Sequence, residues 1–145
     1  MLSDVIAAMK AALTGVAGDE RIPDAPPDQL GDYPKLLIYP QPGRWIPHAH
    51  AGDDGGPLYA AEHTLVVEWH TRRNDLAQAV TETTPVADAI PLALLRDYAA
   101  HRLNESVTTI EQIRCETFGE LGWGSDQTFG VRVLVDVTLI EEVPS

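Results

Sequence analysis

Cysteine is almost absent from this chain: Cys115 is the only one among 145 residues. An intrachain disulfide and a cysteine-rich zinc site are therefore both excluded, and a reducing, cytosolic setting is expected. Long apolar runs are also missing, since no window approaches the roughly eighteen uninterrupted apolar residues of a membrane span. The opening Met1-Leu2-Ser3-Asp4 lacks the basic stretch that begins a signal peptide, so export by that route is not expected. Basic residues are scarce. Lys and Arg total 10 against 22 Asp and Glu, a formal net charge of −12, and only Arg72-Arg73 sets two cations side by side. Nucleic-acid binding through counterion release needs clustered cations, so a phosphate-gripping surface is not expected. An acidic surface does allow another relation to DNA, a ring whose lumen repels the duplex and lets it slide.

What is present reads as one globular domain, with 44% apolar and 22% charged residues. Residues 2–14 place Leu2, Val5, Ile6, Met9, Ala12 and Leu13 at helical spacing, with Ser3 as N-cap and Gly15 as terminator. Residues 18–32 are acidic and proline-rich, an extended connection that no core claims. Tyr33 to Tyr39 reads as a first strand, ended by Pro40. Gln41 to Pro57 holds four glycines and three prolines and is expected to form a long loop. Leu58 to Thr71 alternates, with His63, Leu65, Val67 and Trp69 on one face and Glu62, Thr64, Glu68 and His70 on a wet one. Asn74-Asp75 can cap a helix whose stripe runs through Leu76, Val80, Val86, Ala89, Ile90, Ala93 and Leu94. Thr84-Pro85 repeats the capping signal and Pro91 should kink or interrupt the stripe, so two consecutive helical pieces ending near His101 are expected. Val107 to Phe118 and Thr128 to Glu142 read as strands joined by a glycine-rich hairpin at Gly119 to Asp126. The expected architecture is α+β, a mainly antiparallel sheet with helices packed on one face of a single domain.

Few residues suggest chemistry. His48-x-His50 followed by Asp53-Asp54 is the one local cluster with metal-ligand residue types, and two imidazoles plus carboxylates could hold zinc and acidify a bound water. A small metal-dependent hydrolase is therefore one alternative, although the further His after the Asp and the distant ligands of familiar metallohydrolases are missing. His63, His70 and His101 have no Ser or Cys nucleophile in a recognisable turn nearby, and read as satisfied strand or helix-end histidines. Cys115, in register with Ile113, reads as a small core residue. Trp45-Ile46 inside the long loop stands apart, because loop tips seldom display an aromatic beside a branched aliphatic without using them. Trp123, between Gly122 and Gly124, should find apolar cover from the core or from a neighbour.

Three stretches read together resemble a known family. Leu37-Ile38-Tyr39-Pro40 ends a strand, and Val67 to Leu76 (VEWHTRRNDL) carries a strand into a helix. Ile113 to Gly119 (IRCETFG) then leads through Leu121-Gly122-Trp123-Gly124 to Thr128-Phe129-Gly130-Val131. This arrangement, from Tyr33 onward, resembles the tail terminator, or tail-completion, proteins of long-tailed bacteriophages. Its most specific part is the F-G-x-L-x-W-G then T-x-G hairpin.

The resemblance implies a structural virion protein rather than an enzyme, with no cofactor and no metal. It implies a homohexameric ring on the head-proximal end of the tail tube, stopping tube polymerisation and joining the head-side neck or connector. Its partners would be other copies of itself, the tail tube protein and the neck protein. Genome DNA would pass through the lumen without specific binding, and no membrane is involved. The protein would be found in the virion tail or neck, and in host cytoplasm during assembly. A head-side neck or head-completion subunit is the neighbouring alternative. Subunit or tube contacts are expected at Arg44, Trp45, Ile46, Arg72, Arg73 and Trp123.

Overall fold

The computed structural model describes residues 2–51, 57–99 and 108–144, with side chains placed for all of these but 48–51, 99 and 108. Helix α1 spans Leu2–Ala17, and after a 3-10 turn at Asp19–Arg21 come strands β1 (Lys35–Pro40), β2 (Arg44–Ala51) and β3 (Pro57–Arg72). Helix α2 spans Leu76–Ala99, and strands β4 (Thr108–Trp123) and β5 (Asp126–Glu142) close the chain. All ladders are antiparallel, and the sheet order is β1-β3-β5-β4 with β2 also on β3. The α+β expectation holds.

One face of the sheet carries the helices. Val5, Met9 and Leu13 of α1 recur every four residues, and with Ile90 and Leu94 of α2 they pack on Leu36, Ile38, Leu65, Val67, Trp69 and the β5 row from Val131 to Leu139. That row is the alternation read from the sequence. Each fully buried leucine or valine contributes about 1.5–3 kcal/mol relative to exposure, so this two-layer core is the main source of stability.

Several boundaries depart from the sequence reading. Helix α1 passes through Gly15 and ends at Gly18, which takes φ +82° and returns its N–H to the Thr14 carbonyl at 2.8 Å. Helix α2 is capped at Asp75, whose carboxylate accepts the Gln78 N–H at 3.2 Å, and it runs through both Pro85 and Pro91 as one element. Its first turns bury Ala79 and Thr83, leaving Leu76 and Val80 exposed.

The largest correction lies within 41–57, where Arg44–Ala51 is a strand rather than loop. Strands β1 and β2 form one interrupted strand along β3. Between the pairs Pro40↔Leu65 and Arg44↔Glu62 there are four steps on one side and three on the other, a bulge at Gln41 to Gly43. Glycine is required in that bulge because a Cβ on Gly43 would overlap the His63 ring.

Strands β4 and β5 form a long ribbon with a two-residue turn, Gly124-Ser125, and Gly124 has the positive φ (+58°) that tight hairpin turns need. The expected eight-residue turn is therefore mostly strand. Residues 18–32 are not idle either: Ile22 and Leu30 are buried, and the Leu30 N–H donates to the Asp126 carboxylate at 3.2 Å. Two contacts that bridge the same segment to the hairpin tip are the Trp123 indole N–H on the Pro27 carbonyl, at 2.6 Å, and the close approach of Gly124 to the Asp28 carbonyl.

Candidate functional site

The sheet face opposite the helices was expected to be wet. Over part of its area it is not. Leu37, Val66, Glu68, His70, Thr128 and Leu134 are all buried there. Glu68 lies directly across from Arg132 on β5 and from Leu37 on β1, so β3 delivers its carboxylate to the middle of the sheet. Its Oε1 meets His70 Nε2 at 2.8 Å. Its Oε2 accepts the Tyr39 hydroxyl and the Arg132 Nε–H, the latter at 2.9 Å. The second ring nitrogen, His70 Nδ1, lies 2.7 Å from the Thr128 hydroxyl. With Nε2 donating to the Glu68 carboxylate, Nδ1 is left to exchange a hydrogen bond with the Thr128 hydroxyl. Trp123 closes the group, its ring centroid 5.5 Å from that of Tyr39 and 6.1 Å from that of His70.

Electrostatics follow from this wiring. Burial alone would raise the Glu68 pKa, but hydrogen bonds from His70, Tyr39 and Arg132, with the Arg132 charge, hold it below the ordinary glutamate value. Tyr39 is driven well above the usual phenol range, first by burial and then by its bond to the Glu68 carboxylate. A hydroxyl, an imidazole and a carboxylate in series is the order used in acyl-transfer relays. Thr128, however, is wholly buried, so solvent does not reach its hydroxyl. In this conformation the cluster ties β1, β3, β5 and the hairpin tip together. Truncating one member of such a buried charged network costs about 3–5 kcal/mol.

Further along the same face the sheet is open. A groove of about 680 Å³ is lined by Arg44, Glu62, Thr64, Glu111, Asp136 and Thr138 among others. Arg44 Nε donates to Glu62 at 2.5 Å, and Asp136 accepts from Thr64 at 2.6 Å and Gln112 at 2.7 Å. Beside the groove His63 is buried, with Nδ1 lacking a partner among the described residues; burial lowers its pKa, partly offset by the Glu141 charge. The imidazole is therefore held neutral, its ring edge-on to Trp45 at 5.5 Å. Among the described residues no group of three His, Cys, Asp or Glu is placed to hold a metal. Asp53, Asp54 and His101 lie outside the described residues, as do the side chains of His48 and His50.

The residues singled out from the sequence fall into two separate groups. Arg44, Trp45 and Ile46 sit together on β2, with Trp45 64% exposed and Ile46 also open to solvent. Arg72, Arg73 and Trp123 gather near the hairpin. The Arg72 guanidinium stacks over the Tyr33 ring at 5.6 Å, and Arg73 bonds Gln127 at 2.9 Å and pairs with Glu120. Trp123 finds its cover within its own chain.

Cys115 is corrected from core to surface. It faces the same way as Val133, but it lies on β4, the edge strand, and is exposed there. The buried cluster was missed because alternation assigns a side chain to a face without saying what covers that face. The available signal was Glu68-x-His70 across from Thr128-x-x-x-Arg132, unusual polar residues in runs of strand formers. In comparisons with known proteins, no family model and no curated protein matches this chain.

Proposed function

We propose that this protein is a structural assembly subunit of the tail-terminator kind, forming a homohexameric ring that caps the tail tube of a long-tailed bacteriophage and joins it to the neck. DNA passes through the lumen, and no substrate is turned over. The observation that carries this reading is where the apolar surface lies. Trp45 and Ile46 on β2, Phe118 on β4, and Leu92 and Leu95 on α2 are exposed, so both edges of the sheet and the outer side of the helix layer carry apolar side chains. A ring subunit needs different surfaces for its two neighbours and for its axial partners. The resemblance adds support, because its hairpin residues work as one unit: Gly119 pairs with Gly130, Thr128 bonds His70, and Trp123 covers the buried cluster.

Negative-stain imaging with native mass spectrometry tests the proposal. A six-fold ring with a central hole is expected. A chain that stays monomeric at high concentration would sink it, and a metal-loaded monomer would favour the hydrolase built on His48, His50, Asp53 and Asp54.

A further inference from the structure

The two edges of the sheet differ in charge and in backbone chemistry. From Tyr33 to Ala51 there is no acidic residue, whereas β4 carries Glu111, Glu116 and Glu120 against Arg114 alone. Among the described residues β2 pairs only with β3, and β4 only with β5. The basic edge is interrupted by Pro40, Pro42 and Pro47, which have no N–H to offer a further strand. The acidic edge has no proline over its 16 residues.

Pairing across the sheet sets Arg44, Glu62, Thr138 and Thr109 in one row. Arg44 thus stands level with Thr109 at the far edge, two residues from Glu111. Arg44 and Glu111 both line the open groove. The Arg44 side chain is 72% exposed. It engages Glu62 through Nε, and a guanidinium has five donors in its fork, so its terminal nitrogens can take a second carboxylate. No ion pair holds Glu111 among the described residues.

The geometry points to a head-to-tail joint in which β2 of one copy lies along the first half of β4 of the next, with Arg44 against the neighbour's Glu111. The occupant of the β4 edge is thus a second copy of this chain, selected by opposite charge. The inference rests on the ring reading and names its contact. Complementary patches at opposite edges of one sheet make a heterologous interface, the kind that closes into rings. The prolines keep the joint a side-chain contact, which protects the edge from open-ended strand addition. Trp45, beside Arg44 on β2, would lose its exposure in this joint.

Charge reversal tests the joint. Arg44→Glu and Glu111→Arg should each abolish the oligomer seen by native mass spectrometry, and the double variant should restore it. A second measurement uses Arg44→Cys with Glu111→Cys in a Cys115→Ser background. Within one chain these positions are three inter-strand steps apart, about 14 Å, too far for an internal disulfide. Oxidation should then give a ladder of covalently linked copies, and each single-cysteine variant should give none. An oligomer that forms without the ladder, or without rescue in the double reversal, overturns the joint and leaves the ring reading standing. Dimers from Glu111→Cys alone reveal a two-fold contact between β4 edges and overturn it as well. A ladder that runs past six without closing keeps the joint and refutes the hexamer. A wild-type chain that is monomeric throughout refutes both.

Discussion

Glu68 is 0% exposed and yet ionised, because three donors converge on one carboxylate. Its pKa is lower in the fold than in the unfolded chain, so the stabilisation it provides is complete above the ordinary glutamate value of 4.5 and drains away as pH falls through the folded value. Asp136 and Glu141, also shifted down, add to the same acid limb; hydrogen bonds from Thr64 and Gln112 overcome burial at the first, and the Tyr59 hydroxyl leads at the second. Glu68→Gln keeps the shape but loses the charge-assisted bonds to Arg132 and His70. It should cost about 2 kcal/mol at pH 7 and flatten the loss of stability between pH 5 and pH 3, by about the same amount. Urea unfolding midpoints at several pH values measure this. Parallel profiles for the two proteins would mean that Glu68 is already neutral in the fold.

Helix α2 shows how packing overrides local preference. Pro85 and Pro91 each remove a backbone donor, leaving the carbonyls four residues earlier without their usual partner. Thr81, Thr83 and Thr84 return their hydroxyls to the carbonyls of Ala77, Ala79 and Val80, a pattern that bends helices. The helix continues because Ile90 and Leu94 are wholly buried against the sheet. Pro91→Ala should therefore raise stability by about 1–2 kcal/mol, less than the ~3 kcal/mol of an unadapted helix interior because the packed helix already accommodates the ring. A thermal scan should show the midpoint rising by roughly 2–6 °C. An unchanged or lower midpoint would mean that the proline itself is needed for packing.

The same override explains which elements were legible. Strands β3 and β5 were plain because one face of each meets the helices, and burial enforces a period of two. Strand β2 was hidden because its hydrogen bonds come from the next strand, β3, a pairing that glycine and proline content argue against locally. Cys115 was misplaced because periodicity gives a direction but not how well an edge strand is covered. The candidate joint was half visible: Arg44, Trp45 and Ile46 stood out in the sequence, whereas the place of Arg44 level with Thr109, two residues from Glu111, appears only once the register of four strands is known.

At the scale of the whole molecule, charge decides the relation to DNA. Among the described residues most of the few cations are held by a partner. Arg21 pairs with Asp32, Lys10 with Asp24, Lys35 with Asp32, Arg44 with Glu62, Arg73 with Glu120 and Arg132 with Glu68, while Arg72 is stacked on Tyr33. Arg21 and Lys35 share Asp32, and Arg21 and Arg72 both meet Tyr33, so this group of cations is tied to an acidic and an aromatic side chain, and the chain carries a formal net charge of −12. A duplex held by phosphate contacts would have to break those pairs and release too few counterions to compensate. If copies join through Arg44 and Glu111, Arg44 is engaged on two sides at every joint, and the lumen of such a ring would be acidic or neutral. The assembled protein should therefore show no binding to linear duplex DNA, even at about 20 mM salt, where screening extends beyond roughly 10 Å and attraction would be exaggerated. Gel shift or fluorescence anisotropy against salt checks this. Micromolar binding that weakens steeply with added salt would instead mean that the cations are gathered along the DNA path, and a gripping role would replace the conduit.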